Sequence, residues 1–464
     1  MLKFRFSTAL FTLFFTLFLT LGFLFAASFA PFLVSTANTA DKDREAAIKL
    51  NNLELEFDQP PLLEEGRVLV PFRAIAEALD VEVSWNNEKR EVTALDAGTL
   101  IRLRIDDKTA LVNREEVELD KAPLIRGGRT LVPVRFFSEA FGCDVDWSQE
   151  KYEVSIFSPP VEMWVTGFYA LGSRQASSWS DLFQQDYPVH EEGNTMLVDE
   201  LALGWYSIDG EGKLLTASRT GWQRPSGWEN LLEVAGQYGL RTEMVVHVTD
   251  YADPEEQEEQ IESDRIQVDE GTAPEEDYPE GPITTLLASS EAMQRGAREI
   301  ATEAAEHYHG VNLNFEGLGL TGTEEELEKV RRDFTIFVEK LREELEARDK
   351  GLGLTLTIHP PNGSYKGYDY SSLGELADKI IIMAHDYGVR PEPESRVQEA
   401  VETALEKVPP EKLLLAISIP SETEESFRAK LEIARRHGLE GVSLWRLGLL
   451  EEYWPLIDKA VLPR

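Results

Sequence analysis

Eight short apolar runs fill residues 160–464, and amphipathic helical stretches separate most of them. Strands that alternate with helices form parallel sheets, because neighbouring parallel strands need a long crossover connection that is usually a helix. Eight such units in about 300 residues predict an α/β fold, a closed (β/α)8 TIM barrel, with an open doubly wound sheet as the alternative. No glycine-rich phosphate loop follows any run, which argues against a nucleotide-binding sheet.

The boundaries of these elements follow from the spacing of apolar residues. The predicted strands cover 164–170, 196–206, 242–248, 311–315, 353–359, 379–384, 412–419 and 441–445. The predicted helices cover 228–238, 289–308, 323–348, 397–407, 422–437 and 449–460.

The fourth run shows which side chains such a barrel would present to its interior. Apolar residues at 311, 313 and 315 alternate with Asn312, Asn314 and Glu316. A period of two places the amides and the carboxylate on one face, which lines the interior because both faces of a barrel strand are covered. Barrel enzymes carry their chemistry at the carboxyl ends of strands. Glu316 is therefore either a general acid or the salt-bridged end of an ordinary strand.

Polar and aromatic residues also stand at the ends of the other predicted strands. They are Tyr169, Trp205, Tyr206, His247, His359, His385, Asp386, Tyr387, Trp445 and Arg446. Carboxyl groups between aromatic walls suit a sugar, because flat rings stack on pyranose faces while carboxyls act on the glycosidic oxygen. The alternative is that some of the aromatic residues, Trp205 and Trp445 included, only cap the barrel.

Residues 45–158 contain an internal repeat with an offset of 62 residues. The segment RVLVPFR at 67–73 returns as RTLVPVR at 129–135, and Trp85 returns as Trp147. Each copy predicts a strand pair, a short helix after the proline (74–79 and 136–141) and two further strands, with the tryptophan as a core anchor. The repeat therefore predicts a smaller α+β domain before the barrel.

The charge and the single cysteine exclude several classes of function. The formal net charge of −38 argues against nucleic acid and anionic membranes as partners, since both attract basic surfaces. Cys143 cannot form an internal disulfide, and its apolar surroundings predict a small core residue. The acidic loop at 250–281 predicts a solvated insert after the third strand rather than a cation site.

The first 40 residues predict a targeting segment. Lys3 and Arg5 precede a long apolar run at 9–34, and small residues at 35–37 follow as a candidate cleavage site. The run is also long enough to span a bilayer, so both a cleaved signal peptide and an uncleaved N-terminal anchor are open. Either segment predicts an extracellular or wall-associated protein whose only membrane contact is through that segment.

The repeat resembles the copper amine oxidase N-terminal (stalk) domain of exported bacterial proteins. The resemblance rests on the tandem Leu-Val-Pro-x-Arg and Val-x-Trp pattern and covers nearly all of 45–158. It implies a non-catalytic spacer or a wall-associated stalk. It implies no copper, because no histidine occurs before His190.

The region 160–464 resembles glycoside hydrolase family 18, notably its spore-cortex and cell-wall lytic branch. Four segments carry the resemblance in order: LGWYSIDGEG at 203–212, HGVNLNFE at 309–316, MAHDY at 383–387 and GVSLW at 441–445. The family cleaves polymers that contain N-acetylglucosamine by a substrate-assisted retaining mechanism, an exception to the two-carboxylate scheme.

The resemblance implies a role for each matching residue. Glu316 is the general acid, and Asn314 stands where the family places the carboxylate that orients the substrate acetamide. Asp386 helps to hold the acetamide or the attacking water, and Trp445 forms the floor under the reacting sugar. Further substrate contacts are implied for Tyr169, Trp205, Asn312, Met383, His385 and Tyr387. No metal and no cofactor is implied.

The sequence departs from the family at informative positions. The pattern Asp-x-x-Asp-x-Asp-x-Glu reads His309, Asn312, Asn314 and Glu316 here, and the family's sixth-strand tyrosine is His385. The amide oxygen of Asn314 accepts the acetamide N–H but brings no charge against the oxazolinium ion, a loss of about 10²–10³ in rate.

Two hypotheses therefore stand. One is an exported glycosidase acting on peptidoglycan or a chitin-like polymer. The other is a catalytically weakened carbohydrate-binding wall or sporulation protein on the same barrel. A polysaccharide deacetylase or other metal hydrolase is a remote third, because no carboxylate triad surrounds His307 and His309.

Overall fold

The computed structural model describes residues 45–96, 98–169, 176–217, 223–250, 281–385 and 387–462. The predictions for the segment 1–40, for Asp386 and for residues 251–280 of the acidic loop lie outside these residues. Within the described part of the chain, no helix is long and apolar enough to cross a membrane. Glu45–Arg464 forms one compact unit.

The N-terminal region is built from short strands and two short helices. In chain order they are β1 (Ala47–Leu50), β2 (Leu53–Glu54), β3 (Leu62–Glu64), β4 (Arg67–Pro71), α1 (Phe72–Ala78), β5 (Glu82–Asn86), β6 (Glu91–Asp96), β7 (Thr99–Arg104), β8 (Thr109–Val112), β9 (Glu115–Glu118), β10 (Leu124–Arg126), β11 (Arg129–Pro133), α2 (Val134–Ala140), β12 (Asp144–Ser148) and β13 (Glu153–Phe157).

The two copies of the repeat are interleaved rather than separate. Their central strands β4 and β11 pair antiparallel, with Val70 opposite Val132. Strand β1 of the first copy pairs in parallel with β13 of the second, and β7 lies between β6 and β8. Each outer sheet thus contains strands of both copies, so neither copy completes its sheets alone. Trp85 and Trp147 pack against the shared core, as predicted.

Cys143 is buried in this N-terminal core, in agreement with the sequence prediction. Burial raises the pKa of its thiol to about 11. A thiol that stays protonated at neutral pH is a poor nucleophile, so Cys143 acts as a small apolar side chain.

The C-terminal region is a closed parallel barrel. Its strands are β14 (Val161–Glu162), β15 (Trp164–Tyr169), β16 (Glu200–Ile208), β17 (Leu214–Leu215), β18 (Arg241–Thr249), β19 (Gly310–Glu316), β20 (Gly353–Ile358), β21 (Lys379–Ile382), β22 (Leu413–Ser418), β23 (Gly441–Trp445) and β24 (Val461–Leu462). Eight of these strands form the barrel, in the order β15-β23-β22-β21-β20-β19-β18-β16, and β15 and β16 close the ring. Outside the ring, β14 pairs with β24, and β17 pairs antiparallel with β16. This arrangement confirms the predicted (β/α)8 fold and excludes the open sheet.

Helices surround the barrel strands. They are α3 (Ala176–Phe183), α4 (Trp228–Gln237), α5 (Pro282–Ala288), α6 (Ser290–His307), α7 (Glu324–Arg348), α8 (Tyr370–Leu376), α9 (Glu394–Leu405), α10 (Glu424–Arg436) and α11 (Trp454–Ala460). Helices α3, α5 and α8 were not predicted, because seven or eight residues are too few to show a helical period. The second strand starts at Glu200 rather than 196, since Asn194–Leu197 forms a 3-10 helix.

The interior of the barrel is divided into three levels. A polar level at the amino ends of the strands contains Glu200, Glu243 and Lys379. An apolar level follows, formed by Phe168, Ala202, Val245, Ile381, Leu414 and Ala416. Above it, the carboxyl ends of the strands surround an open cavity. The apolar level keeps the charges of the two ends apart and leaves only the upper end accessible to a ligand.

The N-terminal domain rests on the barrel through helix α10. The Asn51 amide donates to Glu432 and to Ser158, each at 2.7 Å. Lys151 also lies 3.5 Å from Glu425. The domain division predicted near residue 159 stays a prediction, because these contacts make one compact unit of both regions.

Candidate active site

A cavity of about 410 Å³ opens at the carboxyl ends of the barrel strands. Its walls are formed by Phe168, Tyr169, Gly204, Val245, His247, Thr249, Asn314, Glu316, Thr357, Met383, His385, Arg390, Ala416, Ser418, Pro420, Ser421 and Trp445. This is the position at which barrel enzymes keep their chemistry. Larger clefts elsewhere on the described surface, lined by Asn51, by Met196 and by Trp147 among others, contain neither Glu316 nor Asn314.

Glu316 is the last residue of strand β19, and its carboxyl group contacts side chains that donate hydrogen bonds. The Asn314 amide donates to Glu316 Oε1 at 2.9 Å, and His247 Nε2 lies 3.5 Å from the same oxygen. Burial raises the pKa of Glu316, but the His247 and His359 imidazoles and the Asn314 amide together lower it to about 2. The carboxyl group is therefore ionised at neutral pH in the unliganded site.

The side-chain amide of Asn314 has a hydrogen-bond partner for its nitrogen but none for its oxygen among the described residues. Its Nδ2 donates to Glu316, which fixes the orientation of the amide. Its Oδ1 is buried and has no donor among the described residues. A buried acceptor without a donor carries a free-energy cost, which a hydrogen bond from an N–H group would offset. An acetamide N–H fits that requirement.

The aromatic wall of the cavity is Trp445, the last residue of β23. Its side chain is 37% exposed, although it packs edge-to-face against Phe168 with ring centroids 5.1 Å apart. A partly exposed indole is the kind of surface on which a sugar ring can stack. Tyr169, Met383 and His385 also line the cavity, so the structure brings together Glu316, Asn314 and these four of the predicted residues.

Trp205 is the clearest correction to the predicted site. Its side chain is buried in the layer between barrel and helices, where the indole N–H donates to the Tyr308 hydroxyl at 3.3 Å. On strand β16, Ala202 and Gly204 face the interior, so Trp205 faces outward. A direct contact between Trp205 and a ligand in the cavity is therefore wrong.

Asn312 and Tyr387 also lie outside the cavity wall. Asn312 is fully buried one interior level below Asn314, and its Oδ1 accepts the Thr357 hydroxyl at 2.7 Å. The predicted direct contact of Asn312 with substrate is wrong for that reason. Tyr387 donates its hydroxyl to Asn362 at 3.0 Å, and Arg396 lies over its ring. Asn312 therefore supports Thr357 of the cavity wall, whereas the contacts of Tyr387 are with residues outside that wall.

The cavity also contains residues that the predicted site omitted. His247 lies two residues before the end of the third strand, and His359, which follows the fifth, is close to Glu316 but does not line the cavity. Their positions near strand ends were the available signal. Arg390 has no such signal, because it lies in a loop after β21. Among the described residues, no group of three or more His, Cys, Asp or Glu side chains is arranged to hold a metal ion.

Two family models match the chain. Residues 283–421 match glycosyl hydrolases family 18, and residues 49–156 match the copper amine oxidase N-terminal domain. One domain of each kind is therefore present, which confirms both resemblances seen in the sequence. The first match includes Asn314, Glu316, Met383 and His385.

The chain is also similar to proteins whose structures have been solved. The spore cortex-lytic enzyme SleL of Bacillus cereus is 13% identical, with 66% of this chain and 76% of that chain covered and a TM-score of 0.48. The chitinase of Chromobacterium violaceum is 15% identical, with 64% and 98% covered and a TM-score of 0.47.

A curated relative matches a smaller part of the chain. It is a protease inhibitor of Brevibacillus choshinensis, 25% identical over 118 residues. The match spans 25% of this chain and 36% of the length of that relative.

Proposed function

We propose that this protein, whose barrel contains a glycosyl hydrolases family 18 domain, is an exported glycosidase for β-linked polymers that contain N-acetylglucosamine. The observation that carries the proposal is the pairing of Glu316 with Asn314 in the cavity. One residue supplies a carboxyl group, and the other presents an open, oriented acceptor for an acetamide N–H. Peptidoglycan and chitin-like polymers both carry that acetamide.

The mechanism follows from these positions. With the sugar on Trp445, the acetamide N–H binds Asn314 Oδ1, which turns the acetamide carbonyl toward the anomeric carbon. Glu316 protonates the leaving oxygen while that carbonyl forms a bond to the anomeric carbon, giving an oxazolinium ion. Water then opens the ring, Glu316 accepts a proton from the water, and the configuration is retained.

The weak point of this mechanism is the neutral Asn314. A carboxylate at this place would oppose the positive charge of the oxazolinium ion, and the amide opposes it only with its dipole. Removal of one such electrostatic partner costs about 10²–10³ in rate. We therefore expect a slow enzyme compared with a variant that carries aspartate at this position.

A catalytically weakened carbohydrate-binding protein is the second candidate. The observation in its favour is the low pKa of Glu316, about 2, since an ionised carboxyl group has no proton to donate. Such a protein would bind N-acetylglucosamine through Trp445 and Asn314 and would leave the polymer intact.

The cellular site is proposed from the sequence pattern of residues 1–40. We place the protein outside the cytoplasmic membrane, released or held by that segment, with the N-terminal domain as a spacer or wall contact. Fractionation of the source cells, with the mature N-terminus read by mass spectrometry, separates a cleaved signal from an anchor.

The experiment is reducing-end release from peptidoglycan and from N-acetylglucosamine oligomers. Wild type, Glu316→Gln and Asn314→Asp are compared, with circular dichroism as the control for folding. Activity in wild type that is lost in Glu316→Gln supports the glycosidase. Sugar binding without activity in wild type, with activity gained in Asn314→Asp, supports the binding protein. Binding without activity in all three excludes the enzyme.

A further inference from the structure

We propose that His247 supplies the proton that Glu316 donates, and thereby performs the task that the neutral Asn314 cannot perform. This inference rests on the proposed glycosidase function and assigns a further residue to it. His247 acts through Glu316 rather than on the substrate.

The need for such a residue follows from the contacts of Glu316. A general acid must carry a proton, yet Asn314 only donates a hydrogen bond, which favours the ionised carboxyl group. An amide has no proton to exchange near neutral pH. Another group next to Glu316 therefore has to hold the proton.

His247 meets this requirement by geometry. In the pairing of β18 with β19, His247 stands opposite Asn314 and Thr249 stands opposite Glu316. The imidazole Nε2 lies 3.5 Å from Glu316 Oε1, and the two side chains are 18% and 29% exposed. Imidazole is also the side chain whose protonation changes most readily near neutral pH.

The neighbouring titratable groups do not replace His247. His359, from the strand beyond Glu316, has its Nε2 3.4 Å from the backbone N–H of Gly317, where it acts as an acceptor. On the other side, β16 contributes Gly204, which has no side chain. Burial raises the pKa of Tyr169 on β15, so its hydroxyl keeps its proton.

Among the described residues, the remaining charged groups either have other partners or lie farther around the barrel. Thr249 on the same strand as His247 does not titrate, and Asp250 accepts the backbone N–H groups of Ile283 and Thr284. His385 and Arg390 line the cavity from the segment after β21, three strands from β18. Among the described residues, Glu316 is the only carboxylate in the cavity wall.

The proton balance closes over one turnover. In the proposed resting state, Nε2 of His247 holds the proton and Glu316 is a carboxylate. When the neutral sugar displaces water, separated charges become less favourable, and the proton moves from Nε2 of His247 to Oε1 of Glu316. Glu316 gives it to the leaving oxygen as the glycosidic bond breaks. The attacking water then gives one proton to Glu316, which returns it to Nε2 of His247, so that the starting pair is restored.

The decisive experiment compares His247→Asn, Asn314→Asp and the double variant with wild type. We expect His247→Asn to lower kcat on N-acetylglucosamine oligomers on the order of 10²-fold and to move the alkaline limb of the pH profile to lower pH. Asn314→Asp in the same chain should restore most of that loss, since a second carboxylate raises the proton affinity of Glu316. His437→Asn, far from the cavity, is the matched control and should keep wild-type kinetics.

The leaving group separates proton supply from a structural role. A dinitrophenyl glycoside of the N-acetylglucosamine dimer departs without protonation, so its rate should fall only about threefold in His247→Asn. Equal losses on both substrates, an unchanged pH profile or no rescue by Asn314→Asp would each overturn the proposal.

A measurement without turnover keeps the inference separate from the glycosidase proposal. Carbon-13 NMR of the Glu316 carboxyl group follows its titration directly. Its pKa, about 2 in wild type, should rise by about one unit or more in His247→Asn. If wild type is inactive on every substrate but the pKa of Glu316 rises in His247→Asn, the glycosidase proposal is wrong and the interaction of His247 with Glu316 is supported. If the pKa of Glu316 does not change, the proposed interaction is wrong, whatever the activity.

Discussion

The barrel keeps carboxylates at both ends of its interior, and the two ends use them differently. At the upper end, Glu316 faces an open cavity and contacts His247 and Asn314. At the lower end, Glu200 and Glu243 are fully buried and share the ammonium group of Lys379. The apolar level between them keeps the two groups independent.

The lower end is a closed ion-pair network. Lys379 contacts Glu200 and lies 3.6 Å from Glu243, and the Thr355 hydroxyl donates to Glu243 at 2.7 Å. Burial alone lowers the pKa of Lys379, but Glu243 and Glu200 raise it above the ordinary value. The Trp164 ring, 4.7 Å from the ammonium group, covers it from the side.

The difference lies in the cation rather than in the carboxylate. Lys379 keeps its proton throughout the neutral range, so its pair with Glu200 fixes the fold and takes part in no exchange. Imidazole is a side chain that exchanges protons near neutral pH, so in the proposed pair of His247 and Glu316 either partner can hold the proton. A barrel can therefore place charge in its interior for structure at one end and for chemistry at the other.

The largest expected effect is at the lower end. Lys379→Met leaves two buried carboxylates without their shared cation, which lowers the free energy of unfolding by about 3–5 kcal/mol. Urea denaturation at pH 7 measures it, and Lys350→Met, an exposed lysine at the same end of the barrel, is the control. A loss below about 1 kcal/mol would show that water reaches the lower carboxylates and that the two ends do not differ.

Glu316→Gln should also destabilise the protein, with a definite pH dependence. The pKa of Glu316 falls from 4.5 to about 2 on folding, so its ionised form stabilises the fold above pH 4.5 and that stability is lost as the pH falls toward 2. This difference in pKa corresponds to about 3 kcal/mol in the free energy of unfolding at neutral pH. Unfolding of both proteins at pH 7, 5 and 3.5 should show the difference shrink; a constant difference contradicts the low pKa.

Glu243→Gln should have the opposite effect and raise the free energy of unfolding. Burial, then the charge of Glu200, raises the pKa of Glu243, so ionisation opposes folding and wild type loses stability as the pH rises above the ordinary glutamate value of 4.5. The glutamine amide keeps an acceptor for Thr355 and carries no charge. We expect the variant to gain on the order of 1 kcal/mol over wild type between pH 5 and pH 8. If the variant is less stable than wild type at pH 8, the ionised form of Glu243 stabilises the network instead of opposing folding.

The sequence predicted the upper end better than the lower end. Period-two alternation placed Asn314 and Glu316 on the inner face of one strand, and the strand-end rule placed Trp445 beside them. The lower network joins Glu200 to Lys379 across 179 residues, and nothing local in either segment indicates its partner. Only the closed strand order brings the two side chains together.

Trp205 was misplaced for a related reason. The register between β16 and β18 shifts between Leu203 and Tyr206, and Gly204 lies within the shifted stretch. The glycine is compatible with a bulge but does not show which face each residue then takes. Trp205 was therefore assigned to the cavity because it is near the strand end, although it belongs to the outer layer.

The prediction with the smallest expected effect concerns Arg390, and it tests whether this cation at the upper end of the barrel binds substrate. Arg390 lines the cavity and takes part in no ion pair or hydrogen bond among the described residues, whereas Arg396, six positions later, pairs with Glu399 at 3.6 Å. A guanidinium group beside a sugar site suits a carboxylate, which peptidoglycan carries on its muramic acid and stem peptides and chitin lacks.

Arg390→Gln should therefore lower the rate on peptidoglycan relative to N-acetylglucosamine oligomers by about fivefold, the size of one exposed charge contact. Arg396→Gln, whose cation is already paired, is the matched control and should leave the ratio unchanged. Peptidoglycan stripped of its stem peptides separates the two sources of carboxylate: if the effect persists, the muramic acid group is the partner. If the ratio of the two rates is the same in wild type and in Arg390→Gln, Arg390 has no part in substrate choice. The proposed proton pair of His247 and Glu316 would then be the feature that distinguishes the upper end from the lower end.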